Sequence, residues 1–190
     1  MSDNNSKVNY EKLQRLLADG EWEKADIETR TILLEIVKRR QWMRKQDIKK
    51  LPGLDLVTCD RLWFQYSKGH FGFGVQAKIL AEQKNFEDFA QAIGWSVKNE
   101  IGGRGAWDSV DRIYRQEKTP YDLTAPKGHL PLTFKLGGGK STSKPYTDDT
   151  DSDMGFSSIG GYYDKWSKNS FFGPKMVEFF LEYFCQNEDI

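Results

Sequence analysis

The chain has 190 residues, with 28 Lys and Arg balanced by 28 Asp and Glu, and a mean hydropathy of -0.69. That length supports one domain with a tail, and a core that needs no disulfide staples. The zero net charge offers no overall field to a nucleic acid, and no apolar run approaches the roughly 20 residues of a bilayer span.

Residues 1–9 are polar and read as a disordered N-terminus, with neither the apolar core of a signal peptide nor the Arg-rich pattern of a transit peptide. Over 10–18, Leu13, Leu16 and Leu17 share one helical face, and Asp19-Gly20 ends the helix. A longer helix is predicted over 22–39. Its Trp22, Ala25, Leu33, Leu34, Ile36 and Val37 recur at three- and four-residue steps, which buries a broad face. The short link between the two predicts a helical hairpin. Residues 47–51 read as one helical turn, closed by Pro52-Gly53. Residues 54–67 form a strong helix with Leu56, Cys59, Leu62, Trp63 and Tyr66 inward. Helices over 73–83 and 86–93 follow, the second capped by Asn85 and ended by Gly94. A glycine-containing loop over 95–106 precedes a helix over 107–116. Three prolines make 119–134 extended and irregular. Residues 135–161, rich in Gly, Ser, Thr and Asp, read as a flexible loop. Pro174 opens a last helix over 175–186, which Met176, Val177, Phe179, Phe180, Phe184 and Cys185 pack on the body. The organisation is therefore a tail (1–9), a helical core (10–134), the loop (135–161) and a C-terminal helical segment (162–190). No strand pattern stands out, so the fold class is all-α.

Several motifs fail on inspection. Gly137-Gly138-Gly139-Lys140-Ser141 resembles part of a phosphate loop, but the first glycine of that pattern falls on Phe134. Asp149, Asp151 and Asp153 have calcium-loop spacing, but Met154 and Gly160 occupy the required Gly and Glu positions. Cys59 and Cys185 read as single small apolar residues in a reducing compartment. His70 and His129 form no metal-ligand cluster, and no pair of titratable groups marks a catalytic cleft.

Aromatic residues reach 14%. Residues 62–76 (LWFQYSKGHFGFGVQ) carry rings on both sides of a glycine turn. Those rings either staple two helices together or form a flat apolar floor for a planar ligand. In residues 121–131 (YDLTAPKGHLP) Pro and Gly fix the backbone path; with few apolar side chains, this stretch reads as a rigid wall or rim.

These two segments resemble the genomes-uncoupled porphyrin-binding family, accessory proteins of magnesium chelatase. Residues 62–76 are similar to the family's L-W-x-x-Y-S-x-G-R-F-G-F-S-V-Q, with His70 in place of Arg and Gly74 in place of Ser. Residues 125–131 match its A-P-x-G-H-L-P in full, and residues 20–29 and Ile93-Gly94-Trp95 are also similar. The resemblance implies a compact all-α domain shaped like a cupped hand. It implies a non-enzymatic tetrapyrrole-binding protein that regulates or stimulates magnesium chelatase in the chlorophyll biosynthesis of a photosynthetic organism. The ligand is then protoporphyrin IX or Mg-protoporphyrin IX. The alternatives are a divergent paralogue that binds a linear bilin and a protein-interaction domain without pigment. The implied protein partner is the large porphyrin-binding subunit of the chelatase. No nucleic acid and no transmembrane segment are implied, only peripheral membrane contact. The implied location is a cyanobacterial-type cytoplasm or, for a plastid-encoded chain, the chloroplast stroma. On this reading Trp63, Phe71, Phe73, Val75, Trp95, Trp107, Leu130 and Phe134 line the plate. Lys78, Arg104 and Lys127 meet its propionates, and His70 and His129 stand at the rim or reach a central metal.

Overall fold

The computed structural model describes residues 8–40, 43–95, 120–132 and 174–188, and the described residues form helices and turns without strands. Helix α1 (Glu11–Ala18) and helix α2 (Trp22–Ile36) pack as the expected hairpin, and α1 also rests on α4 (Gly53–Tyr66). Between α2 and α4 lies a single turn, α3 (Lys45–Ile48). Then come α5 (Phe73–Glu82), α6 (Phe86–Ala92) and, at the C-terminal end, α7 (Pro174–Gln186). The predicted helix over 107–116 and the loop over 135–161 lie outside the described residues.

Helix ends follow one local rule. At the end of α2, the Lys38 N–H donates to Glu35 O and the Arg39 N–H to Leu34 O. At the end of α4, Lys68 donates to Gln65 O and Gly69 to Phe64 O. The same pair of bonds closes α1 through Gly20 and Glu21, and α6 through Gly94 and Trp95. Each reverses the chain and satisfies carbonyls that the helix leaves unpaired. The left-handed residue is Lys38 or Lys68 at φ 56 in two of the four cases. This explains why α2 stops at Ile36, three residues short of the predicted end. Its hydrophobic pattern runs on through Val37, but the backbone has already turned.

The turn at α3 starts two residues earlier than predicted. The Asp47 carboxylate accepts the Arg44 N–H at 3.0 Å, which fixes the first turn. It also accepts Arg39 Nε at 2.9 Å and Lys50 Nζ at 3.3 Å, although its own side chain is buried. Burial alone raises the Asp47 pKa. The Arg39 fork, the Arg44 N–H and Lys50 together outweigh burial and hold the carboxyl below its ordinary 3.8.

A second carboxylate sits between helices. Asp60, on α4, accepts the Gly74 N–H at 2.9 Å and so caps the start of α5. The chain passes close by: a Cβ on Gly72, whose φ is 134, would stand 2.6 Å from Asp60 Oδ1. Only glycine fits there. Burial raises the Asp60 pKa, against the lowering by the N–H groups of Gly74 and Phe73.

Helix α7 docks chiefly on α5 and also touches α3 and α4. Val177, Phe180, Leu181 and Phe184 are buried, and the Tyr183 hydroxyl donates toward the carbonyls of Lys49 and Leu51. Cys185, expected to face the body, turns to solvent. Cys59 is buried, and burial pushes its thiol pKa well up.

Candidate ligand-binding site

The two motif segments meet in space. Residues 125–132 run as a strap across the α4–α5 turn. The Gly128 N–H donates to His70 O at 2.9 Å, and the Gly72 N–H donates to Leu130 O at 3.1 Å. The Gln76 amide, fully buried, donates to both Gly128 O (2.9 Å) and Pro131 O (2.7 Å). The Leu132 N–H donates to Asp26 of α2 at 2.7 Å. Gly128 passes so close to α5 and α6 that a Cβ would stand 2.8 Å from Ile79 Cδ1 and 3.1 Å from Ile93 Cγ2, and its φ of 80 also favours glycine. The Leu130–Pro131 peptide is cis.

The sequence-predicted site residues that the structure describes are spread over several places. Trp63 and Phe71 lie at the centre of the core with Trp22, in a three-ring cluster with centroids 5.6–6.2 Å apart. The Trp63 indole N–H donates to Thr29 Oγ1 at 2.9 Å. Trp95 and His129 form a second buried group with Leu130. The Trp95 indole donates to His129 O at 2.9 Å, and His129 Nδ1 donates to Ile93 O at 2.8 Å. Val75 packs from α5 toward Gly128. Phe73 stands apart, under α7, against Phe180 at 5.1 Å and Phe184 at 5.9 Å. Nearer the surface, His70 is half-buried and its Nε2 donates to Ala125 O at 2.7 Å, while Lys78 and Lys127 are exposed. Burial raises the pKa values of Asp60 and Cys185, and the charge of Lys78 offsets a small part of that rise. Arg104, Trp107 and Phe134 lie outside the described residues.

Three of the five rings of residues 62–76, Trp63, Phe71 and Phe73, therefore staple helices, while Phe64 is exposed and Tyr66 half-buried. Trp63 and Phe71 have 0% exposure, and Phe73 has 1%. The strap is a sewn-in part of the core, not a free wall: Ala125, His129, Leu130 and Leu132 are all buried. It needs few apolar side chains because backbone hydrogen bonds hold it. The residues that anchor it include Asp26 and Gln76, which the sequence reading missed. Asp26 bonds a partner 106 positions away, and no local pattern announces such a bond. Gln76 had a signal: a polar residue inside an apolar helix face, beside a glycine-rich segment in need of donors.

The His70 Nε2 is engaged by Ala125, and the whole His129 ring is buried. Among the described residues no group of three or more His, Cys, Asp and Glu gathers as a metal site. A cleft of about 320 Å³ opens beside α1 and α2, lined by Asn9, Glu11, Lys12, Arg15 and Glu28. Its charged walls suit no large apolar plate. Tyr121 is half-buried; burial raises its phenol pKa, and Asp26 and Glu23 add to the shift.

A family model described as GUN4-like matches residues 3–148, a span that holds both motifs and the strap. The chain belongs to the GUN4-like family. It is 40% identical over 139 residues to the uncharacterized protein ycf53 of Porphyra purpurea, covering 70% of this chain and 54% of the relative. It is 35% identical over 144 residues to the ycf53-like protein of Synechocystis, covering 73% and 57%. It is 30% identical over 138 residues to a chloroplastic tetrapyrrole-binding protein of Arabidopsis thaliana, covering 68% and 50%. The chain thus spans about half the length of the curated relatives it matches. Among solved structures it is similar to GUN4 from Chlamydomonas reinhardtii, with a TM-score of 0.56 and 29% identity over 72% of this chain and 88% of that one. The ligand-free structure of Arabidopsis thaliana GUN4 gives a TM-score of 0.54 and 25% identity over 71% and 92%. The family named by the match is the one that the motifs of residues 62–76 and 125–131 resemble. Helix α7 lies beyond the matched span.

Proposed function

We propose that this chain binds a tetrapyrrole, protoporphyrin IX or Mg-protoporphyrin IX, and acts without catalysing a reaction itself, as a regulator that stimulates magnesium chelatase in chlorophyll biosynthesis. The observation that carries this reading is membership of the GUN4-like family across both motif segments, together with a relative named as a tetrapyrrole-binding protein. The proposed partner is the large porphyrin-binding subunit of the chelatase. The proposed setting is a chloroplast stroma or a cyanobacterial cytoplasm, with peripheral membrane contact. Among the described residues no helix is long and apolar enough to cross a membrane.

A porphyrin is a large apolar plate with two carboxylates on one edge. Burial of the plate supplies affinity at about 25 cal/mol per Å² before association costs. The proposed site takes its rigidity from the strap and the rings beneath it. Val75, Trp95 and Leu130 back it from inside, with Trp107 and Phe134 as further lining. Lys127 on the strap, with Arg104, meets the propionates. His70 supports the reading as a positioning residue, because its ring holds the strap at Ala125.

The test is chelatase turnover with protoporphyrin IX, with and without this protein. Stimulation that saturates with added protein, together with a shifted Soret band of the bound pigment, is the expected result. A Soret shift without stimulation would confine the role to pigment binding. A spectral shift with biliverdin alone would replace the porphyrin by a linear bilin.

A further inference from the structure

The zero net charge conceals a separation. From Lys38 to Lys50 the chain has seven basic residues and one acidic residue, Asp47, so this stretch carries +6. The remaining 21 basic and 27 acidic residues carry −6. The fold keeps the basic stretch on the surface. In and after α3, Asp47 and Ile48 turn inward while Lys45, Gln46, Lys49 and Lys50 are exposed, and Lys38 and Arg40 are exposed just before it.

Asp47 is already committed to Arg39 and Lys50. Lys45 and Lys49, one helical turn apart, converge on the Phe179 ring of α7, 4.2 and 5.9 Å from its centroid. Among the described residues neither forms an ion pair, with Glu178 and Glu182 of α7 included. The ring face attracts both ammonium groups and holds them side by side. Their mutual repulsion is left without a counter-charge, a cost that facing carboxylates would remove.

We propose that this basic edge, centred on Lys45 and Lys49, docks an acidic segment of a protein partner whose carboxylates lie one helical turn apart. Fixed ammonium positions reward a partner of fixed geometry, whereas fluid lipid headgroups gain nothing from them. The exposed large apolar side chains among the described residues are Ile27, Leu54, Phe64 and Leu123, none of them between Lys38 and Lys50, so the described part of the edge brings no wedge for a bilayer. A long polyanion such as a nucleic acid gains nothing from the rest of the chain, which carries a net −6. The docking uses none of the residues assigned to tetrapyrrole binding, so the two proposals stand or fall separately.

The probe is a labelled helical peptide with glutamates at every fourth position on one face, followed by fluorescence anisotropy with the full chain. The comparison probes are its glutamine counterpart, vesicles of phosphatidylcholine with phosphatidylserine, and a short DNA duplex. The variant is Lys45→Gln with Lys49→Gln, both exposed, with an unchanged melting temperature as the check on folding. The expected result is saturable binding of the glutamate peptide that weakens with salt and falls about tenfold in the variant. The proposal is overturned by no saturable binding, by equal binding in the variant, or by tighter binding to the glutamine peptide, the vesicles or the duplex.

Discussion

Phe73 shows what a single buried ring decides. It lies at 1% exposure between Phe180 and Phe184, so its removal opens a cavity under α7. Phe73→Ala is expected to destabilise the fold by about 3–5 kcal/mol, read as a lower midpoint of chemical denaturation. A loss of stability below about 1 kcal/mol would show that α7 does not cover this ring in solution. Asp47 makes a pH-dependent contribution. Its folded pKa lies below the ordinary 3.8, so its ionised form favours folding above that value, and the benefit fades as pH falls through the lower folded value. Asp47→Asn should therefore be clearly less stable than the parent at neutral pH, with the gap closing in strong acid. Melting curves across that range check the sign; a gap that widens in acid contradicts it. Glycine and aromatic positions were legible in the sequence as special, but their partners were not. Trp63 and Phe73 sit in one motif, yet one faces Trp22 and the other faces α7. Ten residues of helical periodicity cannot say which neighbour arrives on which side.

At the scale of elements, the helices were legible because apolar spacing and caps are local. Asn85 does accept the Asp88 N–H at 2.9 Å, and Gly20 and Gly94 do close their helices. The errors fall where a bond at the end itself resets the boundary, as the Asp47 carboxylate does for α3 and the left-handed backbone of Lys38 does for α2. Because Lys38 and Lys68 hold φ 56, a glycine there relieves backbone strain. Lys68→Gly is expected to stabilise by roughly 0.5–1 kcal/mol, after the extra freedom of the unfolded chain is discounted. Thermal unfolding measures it, and destabilisation would mean that the lysine side chain contributes more than its strained backbone costs. The strap was legible as a fixed path but not as core. Its hold depends on Gln76, whose loss leaves two buried carbonyls unpaired. Gln76→Ala should cost roughly 2–4 kcal/mol and raise amide exchange at Gly128 and Leu132 ahead of α1 and α2. Uniform exchange across the chain would show that the strap and the helices open together.

For the molecule as a whole, the all-α class could be read from helical periodicity without a strand pattern, and the family from two short segments that meet in the fold. The site was less legible. The same rings that define the motifs are spent on the core, with Trp63, Phe71 and Phe73 covered by protein. On the proposed reading it is the strap's exposed Lys127 that meets the ligand. The charge separation between the basic edge and the rest was equally hidden, since a sum over 190 residues cancels it. The central claim is that this scaffold presents a tetrapyrrole site. The most direct test is quenching of its tryptophan fluorescence by protoporphyrin IX and Mg-protoporphyrin IX, in the parent chain and in Lys127→Glu. Saturable quenching in the parent, with affinity reduced several-fold in the variant at unchanged melting temperature, is the expected result. No saturable quenching by either porphyrin would contradict the claim.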